Sequence, residues 1–166
     1  MQIEFDVDLT EQDMYRFSMY HNYTGFQGIF SILIAIAAFV AAVITRGEVE
    51  SVYTVLYVLL GIAFLVYVPF SLKLSTKRQF KMSEQLRNTL HYTVEEEGVT
   101  VSQNGESATL PWKQVYKITA TKHNVLIYST RINAYIIPRT ALGDKYDSLK
   151  EIAKQNLEKY RYCIRR

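Results

Sequence analysis

The sequence predicts an α+β membrane protein: two transmembrane helices in a hairpin, followed by an antiparallel sheet of short strands and a C-terminal helix. Three observations predict it. Two 22-residue stretches, Thr24 to Thr45 and Ser51 to Leu72, contain no charged residue. From Leu90 the apolar period drops to two, the period of a strand, and from Tyr146 it returns to that of a helix. The chain's averages, 166 residues with 49% apolar and 21% charged, conceal this segregation and read as one ordinary soluble domain.

The first 23 residues combine a strand with a juxtamembrane helix. Ile3, Phe5, Val7 and Leu9 alternate with Glu4, Asp6 and Asp8. Thr10 is placed to cap a helix that carries Met14, Phe17 and Tyr20 or His21 toward the membrane.

Residues 24–72 form the hairpin. At about 1.5 Å per residue, 22 helical residues reach roughly 33 Å, against a hydrocarbon core of about 30 Å. A signal peptide is a poor alternative, because the preceding residues are acidic and the apolar run is too long. The link Arg46-Gly47-Glu48-Val49-Glu50 leaves room only for a tight antiparallel turn. Tyr20, Tyr23, Phe26, Tyr53, Tyr57, Tyr67 and Phe70 lie near the ends of the spans, as in an interfacial aromatic belt. Pro69 falls near the end of the second span, where a lost backbone bond costs least. Ser31, Ala35, Ala38 and Ala42 recur at three- and four-residue spacing, and Gly61 lies mid-way along the second span. Such small faces suit close helix packing in lipid, within the hairpin or in a homo-oligomer. No ionisable residue interrupts either apolar core, which argues against a proton relay, channel or transporter.

Charge sets the expected orientation. Residues 1–72 carry seven acidic and two basic residues; residues 73–166 carry nine acidic and 17 basic. Basic flanks stay in the cytoplasm, so a multi-pass plasma-membrane protein with both termini cytoplasmic is expected. The linker, residues 73–89, holds Lys73, Lys77, Arg78 and Lys81 as candidate lipid-binding residues for anionic headgroups, on a continuation of the second helix.

Residues 90–166 form the sheet and last helix. Leu90 to Val94, Val99 to Val101, Ala108 to Trp112, Tyr116 to Thr121, Val125 to Ser129 and Ala134 to Pro138 read as six antiparallel strands. Gln103-Asn104-Gly105 is a hairpin signal. Asp144 is the expected N-cap of a helix whose core stripe is Tyr146, Leu149, Ile152, Ala153, Leu157 and Tyr160. Trp112 reads as core, and Glu95-Glu96-Glu97 as a solvated turn.

No catalytic or metal-binding constellation is legible. His21, His91 and His123 lack partners at ligand spacing, one cysteine makes no zinc site, and there is neither a phosphate loop nor a nucleophile elbow. The expectation is therefore a non-enzyme without cofactor or metal. Nucleic acid is not expected as a partner: Lys113, Lys117 and Lys122 offer a basic face and Arg161, Arg165 and Arg166 a basic tail, but no recognition motif accompanies them.

Four segments carry a resemblance. Ile3-Glu4-Phe5, Glu95 to Val101 (EEEGVTV), Leu110 to Ile118 (LPWKQVYKI) and Ala134 to Leu142 (AYIIPRTAL) make the chain resemble the bacterial YcxB-like membrane proteins. Leu142 stands where that family often has an aromatic residue. The resemblance implies a C-terminal region like a bacterial pleckstrin-homology (PH) barrel; such a barrel wants seven strands, and the alternation of Ile3, Phe5, Val7 and Leu9 makes the N-terminal segment the expected seventh. It implies no activity. Two functions are consistent with it. One is a membrane-anchored binding or scaffold module that presents a PH-like domain to a protein or lipid partner. The other is self-protection of the membrane against a bacteriocin or toxin.

Overall fold

The computed structural model describes residues 2–164; Arg165 and Arg166 of the expected basic tail lie outside the described residues. The chain divides into two compact units. One is formed by the described residues up to Phe17 together with those from Gln79 onward; the other is Ser18–Arg78.

In the first unit, β1 (Ile3–Val7) pairs antiparallel with β2 (Leu90–Val94), which pairs with β3 (Gly98–Gln103), which pairs with β4 (Glu106–Pro111). The N-terminal strand is thus part of the sheet. Alternation sorts its faces: Ile3, Phe5, Val7, Tyr92, Val94, Val99 and Leu110 enter the core, and Glu4, Asp6, His91, Thr93, Thr100 and Thr109 lie on the other side. Asn104 (φ +51°) and Gly105 (φ +84°) make the two-residue turn between β3 and β4, as the Asn-Gly pair requires.

The second sheet has the order β7-β6-β5-β8, from β5 (Lys117–Ala120), β6 (Asn124–Tyr128), β7 (Ala134–Pro138) and β8 (Tyr162–Cys163). β5, β6 and β7 are antiparallel neighbours, and β8 runs parallel to β5. Every residue of β6 is buried. Val125 and Ile127 join the core shared with the first sheet. The opposite face is covered by α1 (Glu11–Thr24): the Asn124 side chain donates to the Asp13 carbonyl at 3.3 Å, and the Phe17 and Tyr128 rings lie 6.1 Å apart. α1 starts as its sequence requires, with Asp13 N–H bonded to the Thr10 hydroxyl (3.1 Å) and Thr10 N–H to the Asp13 carboxylate (3.3 Å).

Several expectations are corrected. Among the described residues the strands form two sheets and no closed barrel. On one side a tight 3₁₀ turn at Trp112–Gln114 diverts the chain between β4 and β5. On the other, α4 (Arg139–Leu142) packs against both β1 and β7, and Lys145 caps the β1 edge by donating to the Glu4 carbonyl at 2.6 Å. Trp112 belongs to the turn, not to a strand, and it is core: its indole N–H donates to the Glu95 carbonyl at 2.8 Å. Met14 is buried and Phe17 packs on Tyr128, so both serve the sheet unit. Asp144 precedes α5 (Lys145–Asn156) without capping it, because α4 and Gly143 (φ +50°) have already turned the chain and its own backbone is helical. α5 stops at Asn156, whose side chain donates back to the Ile152 carbonyl at 2.9 Å. Tyr160 therefore lies beyond the helix, 71% exposed, and the chain returns as β8.

In the second unit, α2 (Phe26–Ile44) and α3 (Ser51–Met82) are joined through a turn with Gly47 at φ +91°. Both are long and apolar enough to cross a membrane, with mean hydropathy 2.5 and 2.3 over their most apolar windows. The small residues Ser31, Ala35, Ala38 and Ala42 are all buried. Ser31 donates to the Phe64 carbonyl at 3.2 Å, and the Phe39 ring lies where a Cβ at Gly61 would stand, 2.8 Å away. Large side chains such as Leu33, Ile36, Leu59 and Val66 are exposed instead. Pro69 is not at a helix end: α3 continues past it to Met82.

Candidate functional site

The four lipid-binding candidates named from the sequence lie on the last turns of α3. Lys73, Lys77 and Lys81 recur at four-residue spacing and so follow one stripe, drifting about 40° per step at 3.6 residues per turn. Arg78 is rotated about 100° from Lys77. All four are exposed, and among the described residues none is in an ion pair. The other side of this segment is occupied: Thr76 is buried and its hydroxyl meets that of Ser18 at 3.4 Å. The linker is therefore helical through Met82, and its basic stripe is on the exposed side.

Lengths define what this stripe can reach. Ser51 to Leu72 accounts for roughly 33 Å of helix, the thickness of a hydrocarbon core, and Lys73 is the next residue. Lys73 to Lys81 then covers about 12 Å along the axis, whereas one headgroup layer is roughly 5–8 Å deep. On a helix that spans, Lys73, Lys77 and Arg78 fall at headgroup depth, and the backbone of Lys81 stands about 4 Å beyond it, within reach of a lysine side chain.

Of the remaining basic residues singled out by the sequence, Lys122 stands apart from the others. Lys117 starts β5, with its ammonium 4.8 Å from the Tyr128 ring centre, whereas Lys122 lies beyond the opposite end of that strand. Arg161 is no free tail: it donates to the Lys113 and Val115 carbonyls at 2.9 and 3.2 Å, tying β8 to the 3₁₀ turn. Next to it is a cleft of about 330 Å³ lined by Trp112, Lys113, Asn156, Leu157, Glu158 and Arg161. Among the described residues no group of His, Cys, Asp and Glu is placed to hold a metal.

One pairing is invisible in the sequence. His91 Nδ1 lies 2.6 Å from the Asp6 carboxylate, 85 positions away, because β1 and β2 place these two residues opposite each other. Burial and the neighbouring Tyr135 push the Tyr92 phenol well above its ordinary range. Tyr92 faces the core and has no bearing on this polar surface.

The segment from β2 through α5, six strands, a buried tryptophan turn and two helices, is also where the motifs of the resemblance concentrate. Residues 94–153 match the YcxB-like protein family. No curated protein and no solved structure matches the chain. The YcxB-like segment contains three of the four motifs, and each has a packing role. EEEGVTV makes the β2–β3 turn and β3, LPWKQVYKI the end of β4 and the tryptophan turn, and AYIIPRTAL β7 with α4. The N-terminal strand and the apolar helices lie outside the matched YcxB-like residues.

Proposed function

We propose that this chain is a two-span membrane protein of the bacterial inner leaflet. In this reading the hairpin anchors a PH-like binding or scaffold module in the cytoplasm, and Lys73, Lys77, Arg78 and Lys81 contact anionic headgroups. One observation carries it: α2 and α3 turn their small residues inward and expose leucine, isoleucine, valine and phenylalanine, the reverse of a water-soluble helix pair. The basic stripe one residue beyond the apolar stretch supports a cytoplasmic exit.

Cysteine labelling tests the arrangement. In a Cys163→Ser background, Glu48→Cys in the α2–α3 turn is expected to react with an impermeant thiol reagent in intact cells, and Glu106→Cys is expected not to. Both positions are exposed and each avoids the neighbouring positive-φ glycine. The reverse pattern would place the sheet unit outside and overturn the proposal.

The headgroup role has its own measurement. Changing Lys73, Lys77, Arg78 and Lys81 together to glutamine is expected to remove any preference for anionic lipid in reconstituted bilayers, at about 1 kcal/mol per charge. An unchanged preference would leave the four as topology signals alone.

A further inference from the structure

In the sheet unit, large apolar side chains are almost all inside. Among the described residues up to Phe17 and from Gln79 onward, the exposed large apolar side chains are Met82 (79%), at the end of α3, and Tyr116 (45%), Ile132 (66%) and Tyr160 (71%). The last three lie at one end of the second sheet. Lys117, Tyr128 and Ala134 are in register across β5, β6 and β7, and Ile118 is in register with Tyr162. The residue before β5, the β6–β7 turn and the residues before β8 therefore share one rim.

The rim is ordered and basic. The Thr130 hydroxyl accepts from the Ile132 and Asn133 N–H groups at 3.3 and 3.0 Å, and Ser129 N–H bonds the Asn133 carbonyl at 3.0 Å. This tight turn holds Arg131 and Ile132 outward with no burial to reward it. The rim holds Lys117, Arg131, Lys159 and Arg161 against Glu158, which lies 4.0 Å from Arg161. α1 adds a direction. Asp13 meets Asn124 and Phe17 meets Tyr128, so α1 follows β6 toward its Tyr128 end, the rim end.

We infer that this rim is a second membrane-contacting surface, which inserts Ile132 and flanking tyrosines at the headgroup boundary of an anionic bilayer. The inference rests on the proposed anchoring and extends it. Basic side chains beside exposed aromatic and branched apolar ones complement a negatively charged interface, where each part is satisfied. Docking at the rim would hold the polar face of the first sheet in a fixed attitude to the membrane.

The test uses the full chain in vesicles of phosphatidylcholine, alone or mixed with phosphatidylglycerol. Ile132→Cys in the Cys163→Ser background carries an environment-sensitive fluorophore, and alkaline extraction of the same vesicles reports integration. The expected result is integrated protein in both lipids. The fluorophore should be blue-shifted and quenched by spin-labelled lipid only with phosphatidylglycerol. Lys117→Gln with Arg131→Gln should lower the docked-to-free ratio by roughly fivefold per charge. Integrated protein with a water-exposed label in both lipids overturns the rim and leaves the anchoring intact. Extractable protein overturns the anchoring and the rim with it. A label shielded equally in both lipids, and more so at higher protein density, means that a second copy covers the rim, and also refutes lipid docking.

Discussion

Phe5→Asp is expected to unfold the sheet unit, including the YcxB-like segment that begins 89 residues further along the chain. Phe5 is 5% exposed and stacks on Tyr92, its register partner, with ring centres 5.4 Å apart and planes within 2°. Tyr92 in turn meets the Tyr135 ring edge-on at 6.2 Å. Removing a buried Phe costs about 3–5 kcal/mol. An unpaired carboxylate in its place adds several more, between Glu4 and Asp6, which offer it no cation. The sum rivals the roughly 5–15 kcal/mol stability of a whole domain. Limited proteolysis in detergent should show residues 90–164 cut rapidly in the mutant and slowly in the wild type. Phe5→Leu, which keeps the packing apolar, should remain resistant. Undiminished resistance in Phe5→Asp, or after deletion of residues 2–9, would mean that β1 is dispensable.

The second large effect is expected at Gly98. It opens β3 opposite Pro111, and a Cβ there would overlap the Leu110 carbonyl oxygen and stand 2.9 Å from the Pro111 Cα. Both obstacles are backbone, so no rotamer relieves them. The strand ends must separate, and Trp112, whose N–H groups bond the Glu97 and Glu95 carbonyls at 3.3 and 2.8 Å, must move with them. Gly98→Ala is therefore expected to cost about 3 kcal/mol, the upper range for overpacking. Gly105→Ala meets no neighbour and should cost about 1 kcal/mol, from positive φ alone. Chemical denaturation of the two variants in detergent measures the difference; equal midpoints would refute the steric account.

The sequence is most readable where one physical period dominates. The apolar stretches appear as α2 and α3, the inward small residues are the ones named from spacing, and the six strands after Leu90 and the β1 strand are present. The readings that fail depend on what an element touches. Tyr160 continues the stripe of α5 in sequence, but Asn156 ends the helix first. Met14 and Phe17 read as membrane-directed because nothing local reveals that β6 exposes a second apolar face needing cover. β8 is two residues long, too short for any periodic signal. The candidate basic stripe is legible because helix and charge spacing coincide in residues 73–81. The rim is not, since Tyr116, Ile132 and Tyr160 are scattered along the chain and meet only through strand register.

That β1 pairs with β2 has a consequence for how the chain can be threaded. Val7 and Leu90 are cross-strand partners, so everything between them forms a closed circuit. A closed circuit crosses any surface an even number of times. A bilayer pierced by one of the two apolar helices and not the other is incompatible with the paired strands, whatever the flanking charges favour. During synthesis, β1 is made before β2 and must wait, unpaired, until both apolar helices and residue 90 have followed. An inserted chain with its first strand stranded on the far side cannot complete its sheet. In the proposed two-span arrangement, strand pairing makes folding of the sheet unit a check on the parity of insertion.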